Sequence, residues 1–287
     1  MRQAGGKLAL ASHSSSGSSA SSSPSAGAPT PALPPSPPLP TSATTTTAAA
    51  LVVGDELLSG KVEESNVAPL ARTLRGLGIL LRRVVVVMDD VEAIAGEVRA
   101  LSSTHDWLFT SGGVGPTHDD VTVEAVARAF GTRVVSSPRM EEMLRAHYAE
   151  RCTDGHLRMA LIPEGAALES TPDVAWPTVR VQNTWLLPGI PEMFRVKLTV
   201  VAARIGAAGP PFVSHAAYVN LDEGVLTPLL AQVVHDHPDV SVGSYPKWLE
   251  PRYKTKLTFD GRDEARVLAA RDAFVALLPA GEPQQVD

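Results

Sequence analysis

Two adjacent aspartates, Asp119 and Asp120, stand near the end of the stretch TSGGVGPTHDDVT (110–122), which also holds Gly112, Gly113, Gly115 and Pro116. Glycines permit positive φ and leave room for close approach of backbone. Successive N–H groups in such a turn form an anion nest, and a helix N-terminus behind it adds partial positive charge. Carboxylates beside a nest suit a hard divalent cation, which takes oxygen ligands and retains waters. The chemistry suggested is therefore that of a phosphate held next to a metal. The stretch lacks the P-loop lysine and does not follow G-x-G-x-x-G, so it is neither a Walker A element nor a dinucleotide fingerprint. A purely structural reading stands beside this one. Thr117 fits an N-cap with Asp120 at the third helical position, and Asp89 followed by Glu92 fits a cap for a helix over 90–101.

The elements around these residues decide how many of them meet. AAALVVG (48–54) reads as a buried strand and SNVAPLARTLRGLG as a helix with Val67, Leu70, Ala71, Leu74 and Leu77 on one face. Ser65 or Asn66 caps its start and Gly78 ends it. ILLRRVVVV (79–87) is a second strand, 90–101 a helix, DWLFT (106–110) a third strand, 121–130 a helix and TRVV (132–135) a further short strand. Alternation at this spacing predicts βαβ units and a parallel sheet covered on both faces. Ligands gather at the carboxyl ends of such strands. GDELLSG (54–60), MDD (88–90) and SGGVGPTHDD (111–120) stand there, each with an aspartate, and PGIPEM (188–193) follows the apolar TWLL. From about Ser214 a β-α-β-β-α pattern predicts a separate small α/β lobe over 212–280, joined through GAAGPP (206–211).

Composition removes several classes. A net charge of −6 and a pI near 5.8 give no basic footprint for nucleic acid. The single cysteine, Cys152, excludes an internal disulfide framework and a cysteine-rich metal site. No apolar run reaches membrane-spanning length. Residues 1–47 are rich in Ser, Pro, Ala and Thr, with no acidic residue before Asp55. They read as a transit peptide for a chloroplast or mitochondrion, or as a plain disordered tail on a cytoplasmic protein. Among the histidines, His118 reads as exposed, and His235 and His237 lack a third ligand at metal spacing.

GDELLSG, MDD, SGGVGPTHDDVTVEAVARAFG and LLPGIPEM together are similar to the MoaB/Mog-type molybdopterin-binding domain. The tail VGSYPKWLEPRYKTKLTF resembles the middle region of eukaryotic FAD synthases, and the CinA family shares the same motifs. The resemblance runs from about residue 48 to 280. It implies an α/β fold: a three-layer domain over 48–205 with a mainly parallel sheet, plus the small C-terminal lobe. In FAD synthases adenylyl transfer resides in a further C-terminal domain of another type, so this chain is not expected to make FAD. Their Mog-like domain is associated with metal-dependent hydrolysis of FAD to FMN and AMP. Stand-alone Mog-type proteins adenylylate molybdopterin, with aspartates at the positions of Asp89 and Asp120.

The expected activity is thus hydrolysis of a dinucleotide diphosphate, with FAD first among substrates. Molybdopterin adenylyl transfer and a non-catalytic flavin or pterin nucleotide-binding role are the alternatives. Asp55, Asp89 and Asp120 are the candidate ligands of a divalent metal (Mg, Mn or Co), with Asp89 and Asp120 as catalytic residues. Ser111, Gly112, Gly113, Gly115, Thr117 and Thr122 are expected on phosphate. Gly54, Asp55, Ser59, Asn66, Pro188 and Gly189 are expected around the nucleotide. Asp119 takes a proton or is solvated surface, and Glu56 shapes the first loop. By resemblance the chain forms a homo-oligomer.

Overall fold

Residue 47, counted with the tail by composition, already opens the first strand. The computed structural model describes residues 45–287, so the expected transit segment lies outside the described residues. The chain runs β1 (Thr47–Val53), α1 (Asp55–Leu58), α2 (Val67–Gly76), β2 (Leu80–Val87), α3 (Val91–Thr104), β3 (Trp107–Ser111) and α4 (Thr122–Ala129). It continues through β4 (Val134–Ser136), α5 (Pro138–Tyr148), α6 (Asp154–Leu157), β5 (Leu161–Pro163), β6 (Ala167–Thr171), β7 (Val174–Val181), β8 (Thr184–Leu187) and α7 (Pro191–Ile205). The last part is β9 (Val213–Val219), α8 (Glu223–Asp236), β10 (Ser241–Pro246), β11 (Thr255–Gly261), α9 (Glu264–Ala276) and β12 (Gln285–Val286).

The main sheet has the order β2-β1-β3-β8-β7-β6; β2, β1, β3 and β8 pair in parallel, whereas β7 runs antiparallel to both of its neighbours, β8 and β6. Alternation along a strand sends successive side chains to opposite faces. In β1, Ala49, Leu51 and Val53 enter one core with Ile94 and Val98 of α3 and Val126 of α4. Ala48 and Ala50 enter a second core with Leu70 and Leu74 of α2 and Phe194 and Leu198 of α7. A strand buried on both faces is why AAALVV is a continuous apolar run rather than an alternating one. Each fully buried Leu or Ile here contributes about 1.5–3 kcal/mol relative to exposure.

Two expectations change. The short strand near 132–135 does not join the main sheet: β4 pairs antiparallel with β5 in a separate two-stranded ladder. The C-terminal lobe extends past 280, because β12 pairs with β9 and makes a four-stranded sheet of order β10-β11-β9-β12. The Gly/Pro connection at 206–211 is pinned rather than free. Ala208 N–H donates to Leu77 O at 2.8 Å, and Phe212 N–H to Arg75 O at 3.0 Å. Arg75 pairs with Asp260 at 2.7 Å and Arg262 donates to Gly78 O at 2.9 Å. Both guanidinium groups lie over the Phe212 ring. No helix among the described residues is long and apolar enough to cross a membrane.

Candidate functional site

In-register parallel pairing brings four strand ends level, and backbone hydrogen bonds carry that alignment into the loops. Gly54 N–H donates to Val87 O, and Gly112 N–H to Leu187 O, both at 3.1 Å. The loops after β1, β2, β3 and β8 therefore lie side by side at one edge, where a cavity of about 580 Å³ opens. Asp89, Gly112, Gly113, Gly115, Thr117, Asp120, Pro188 and Gly189 line it, as does Glu56 from the first loop.

The glycine turn is held by its own residues. Gly112 has φ 104° and a Cβ there would stand 2.3 Å from Val53 O. Gly113 has φ 65°, and its Cβ would meet Thr122 Oγ1 at 2.3 Å. Gly112→Ala is expected to cost about 1–3 kcal/mol from backbone strain alone, read as a lowered urea midpoint. An unchanged midpoint would mean that the turn relaxes freely.

Asp120 turns out to be a brace. Its Oδ1 accepts from Gly115 N–H at 2.7 Å, and its Oδ2 accepts from Thr117 N–H at 2.7 Å and Thr117 Oγ1 at 2.6 Å. Thr117 Oγ1 also lies 2.5 Å from Asp119 Oδ1, so one proton stands between two carboxylates. That hydroxyl holds the Asp119 carboxyl below its ordinary range. Neither Thr117 nor Asp120 caps the next helix, which begins at Thr122 without a side-chain cap. The Gly112 amide is spent on Leu187 O of β8 and the Gly115 amide on Asp120, which corrects the expectation that all three glycines present N–H groups to phosphate. The Gly113 and Val114 amides have no hydrogen-bond partner among the described residues, and both residues line the cavity.

The residues at the second loop divide their work. Asp90, not Asp89, caps α3 by accepting from Ala93 N–H at 2.8 Å. That frees Asp89, whose Oδ2 accepts from Asp55 N–H at 2.9 Å while Asp89 N–H donates to Asp55 Oδ1 at 3.3 Å. Burial raises the Asp89 pKa; the Asp55 amide opposes the rise, and the negative charges of Asp55, Glu56 and Asp119 add to it. A half-buried carboxylate among like charges is a place that gains from a cation.

Several expected contacts face elsewhere. Thr122 is fully buried and its hydroxyl donates to Gly112 O at 2.9 Å, so it shapes the loop from behind. Asn66 is buried; its Nδ2 donates to Ser111 Oγ at 3.0 Å and Gly189 O at 2.8 Å, tying three loops together beneath the cavity. Its Oδ1 has no partner among the described residues. Ser59 is exposed, with its hydroxyl on Glu56 O. Gly54 and Asp55 stand behind Asp89 rather than on the cavity wall. Among the described residues no three His, Cys, Asp or Glu side chains converge as a metal cage. The expected set of Asp55, Asp89 and Asp120 is split because Asp120 serves the glycine loop and Asp55 serves Asp89. An oxygen-only pair on the wall, Asp89 with Glu56, still suits Mg²⁺, which usually binds through one or two carboxylates plus phosphates and keeps its waters.

Three further features complete the cavity. Ile190 and Met193, at the start of α7, put the N-terminus of a fifteen-residue helix without a side-chain cap on the cavity. Trp176, Met140 and Met159 make an apolar wall. Lys197 of α7 also lines the cavity, 4 % exposed, with Nζ donating to Trp176 O and to Pro177 O. Burial pushes its pKa down to about 8.

Comparison with known proteins places this site in context. Residues 49–207 match the probable molybdopterin binding domain family, and residues 211–287 match the FAD synthase middle domain. A protein of Archaeoglobus fulgidus is 34 % identical over 226 residues, covering 79 % of this chain and 95 % of its own. The probable FAD synthase of Caenorhabditis briggsae is 30 % identical over 258 residues, covering 80 % of this chain; the match spans 49 % of that longer protein. Among solved structures, the protein CinA of unknown function from Thermoplasma acidophilum superposes with a TM-score of 0.52 at 30 % identity, over 56 % of this chain and 99 % of its own.

Proposed function

Since the chain belongs to the probable molybdopterin binding domain family and carries an FAD synthase middle-domain unit behind it, we propose that it hydrolyses a dinucleotide diphosphate, FAD first, to FMN and AMP. One observation carries this reading: a single cavity joins two open loop amides, a carboxylate wall and an apolar tryptophan-lined end. Phosphate oxygens meet the N–H groups of Gly113 and Val114, and the N-terminus of α7 adds its partial positive charge. Asp120 keeps the loop in shape, and Thr117 shares its hydroxyl proton with both neighbouring carboxylates. Asp89 and Glu56 would hold a divalent cation (Mg, Mn or Co), which would supply charge neutralisation on the diphosphate and activation of the attacking water. In the balanced step a water oxygen bonds one phosphorus and the bridging P–O bond breaks. The bridging oxygen leaves on the other phosphate, and one proton goes to solvent.

Asp120→Ala tests the loop's part. It removes three charge-assisted hydrogen bonds, each worth about 1.5–3 kcal/mol when well formed. The expected result is lost turnover together with a stability loss of about 2–4 kcal/mol, since exposed bonds deliver less than their ideal value. Lost turnover with an unchanged melt would return Asp120 to the role of direct ligand.

The match of 49–207 to the molybdopterin-binding family favours a second reading, adenylyl transfer to molybdopterin. Formation of molybdopterin-AMP from ATP and molybdopterin, with FAD left intact, would select it. Nucleotide binding without turnover in either assay would select a purely binding role. Assembly as a homo-oligomer, expected by resemblance, is read by sedimentation of the protein at assay concentration.

A further inference from the structure

Lys197 has no part in the phosphate chemistry above, and its setting is unusual. An ammonium in an apolar wall costs free energy unless it is paired, yet only the carbonyls of Trp176 and Pro177 receive its protons. Burial alone accounts for its lowered pKa, with no charged neighbour contributing. It still carries its charge at neutral pH, facing a cavity.

Strand order places it away from the phosphate cradle. The glycine loop leaves β3, whereas Trp176 and Pro177 belong to β7, two strands further along the sheet. At ~4.8 Å per strand that is about 10 Å, the reach of a sugar or sugar alcohol between a phosphate and a ring. Trp176 and Met159 pack against the core cluster at this end, which suits a flat ring. The acidic residues Glu56 and Asp89 come from the loops after β1 and β2, on the opposite side of β3.

Resting on the diphosphate reading, we propose that Lys197 is the specificity-determining residue of this cavity, its ammonium donating to the oxo edge of a heteroaromatic ring of the isoalloxazine or pterin class. A ring carbonyl beside an ionisable ring nitrogen concentrates negative charge where a desolvated ammonium can use it. Adenine carries no ring oxygen and gains less from this contact. The preference between the two halves of a dinucleotide is therefore set at Lys197, and not at the glycine loop, which sees phosphates alone.

The test is calorimetric binding of riboflavin, which has the ring and no phosphate, and of AMP, by the full chain and by Lys197→Met and Lys197→Gln. Gln keeps a neutral donor for the two carbonyls and guards against misfolding of the Met variant; far-UV circular dichroism checks both. Both variants are expected to weaken riboflavin at least tenfold and leave AMP within twofold. Equal weakening of both ligands would make Lys197 structural and overturn the inference, as would unchanged riboflavin binding. Loss of AMP with riboflavin retained would assign the ammonium to phosphate and overturn it too. A parent protein that binds neither ligand would instead overturn the diphosphate reading, and this inference with it.

Discussion

Asp89→Asn is expected to lower metal-dependent release of FMN and AMP from FAD by about 10²–10³-fold, the usual loss when one preorganised electrostatic group is removed. Three observations single out Asp89 among the acidic residues. It lines the cavity, its neighbour Asp90 has taken over the capping of α3, and burial beside Asp55, Glu56 and Asp119 raises its pKa. An asparagine keeps an oxygen to accept from Asp55 N–H, so the loop-to-loop contact survives. Removing a charge from a crowd of like charges relieves repulsion, so the melting temperature should not fall. Loss of turnover with retained or raised stability is the signature of a functional group. Asp119→Ala should do far less, because that side chain is mostly exposed and bonded only within its own loop. Turnover of Asp89→Asn at the parent rate would remove the acidic wall from the account.

Lys197 predicts a second large effect, this time on stability. Its pKa falls from 10.5 to about 8 on folding. Below pH 8 both states hold the proton, and the folded state bears the full cost of burying it. Between pH 8 and 10.5 the folded protein releases the proton before the unfolded chain does, so the cost shrinks; above 10.5 it is gone. A depression of about 2.5 units corresponds to roughly 3 kcal/mol. In Lys197→Met this cost is absent at every pH, although the carbonyls of Trp176 and Pro177 lose their donor, at about 1–3 kcal/mol. The sign of the difference at pH 7 is therefore close to balance, but its pH dependence is not. The stability of Lys197→Met relative to the parent should fall by roughly 3 kcal/mol between pH 8 and 10.5, measured by urea unfolding of both proteins. A constant difference would mean that the ammonium is solvated in the folded state.

Much of the framework was legible because its signals are periodic. β1 is buried on both faces, so it reads as an unbroken apolar run, and α2 repeats its leucines on one stripe with Leu70 and Leu74 inside. The convergence of three loops on one edge followed from the parallel order of the strands alone. The misreadings share a different cause. Asp120, Thr122, Asn66 and Ser111 are expected on a ligand, whereas Asp120 and Thr122 bond the glycine loop and Asn66 Nδ2 bonds Ser111 Oγ, with Asn66 Oδ1 left unpartnered among the described residues. Sequence gives the donors and acceptors but not the direction in which they point. Asp89 and Asp90 are equivalent as capping residues on paper, and only the backbone of the turn decides between them. Lys197 shares the helical stripe of Phe194, Leu198 and Val201, so periodicity marks it as inward-facing, but a cation on an apolar stripe carries no sign of what it meets there. Trp176 comes from β7, an antiparallel strand outside the βαβ pattern.

The most direct measurement is the product analysis of FAD incubated with the protein and Mg²⁺, Mn²⁺ or Co²⁺ in turn, with a chelator control. Hydrolysis at the diphosphate predicts FMN and AMP in equal amounts, dependent on metal and lost in Asp89→Asn. Intact FAD with every one of the three metals would contradict the central claim.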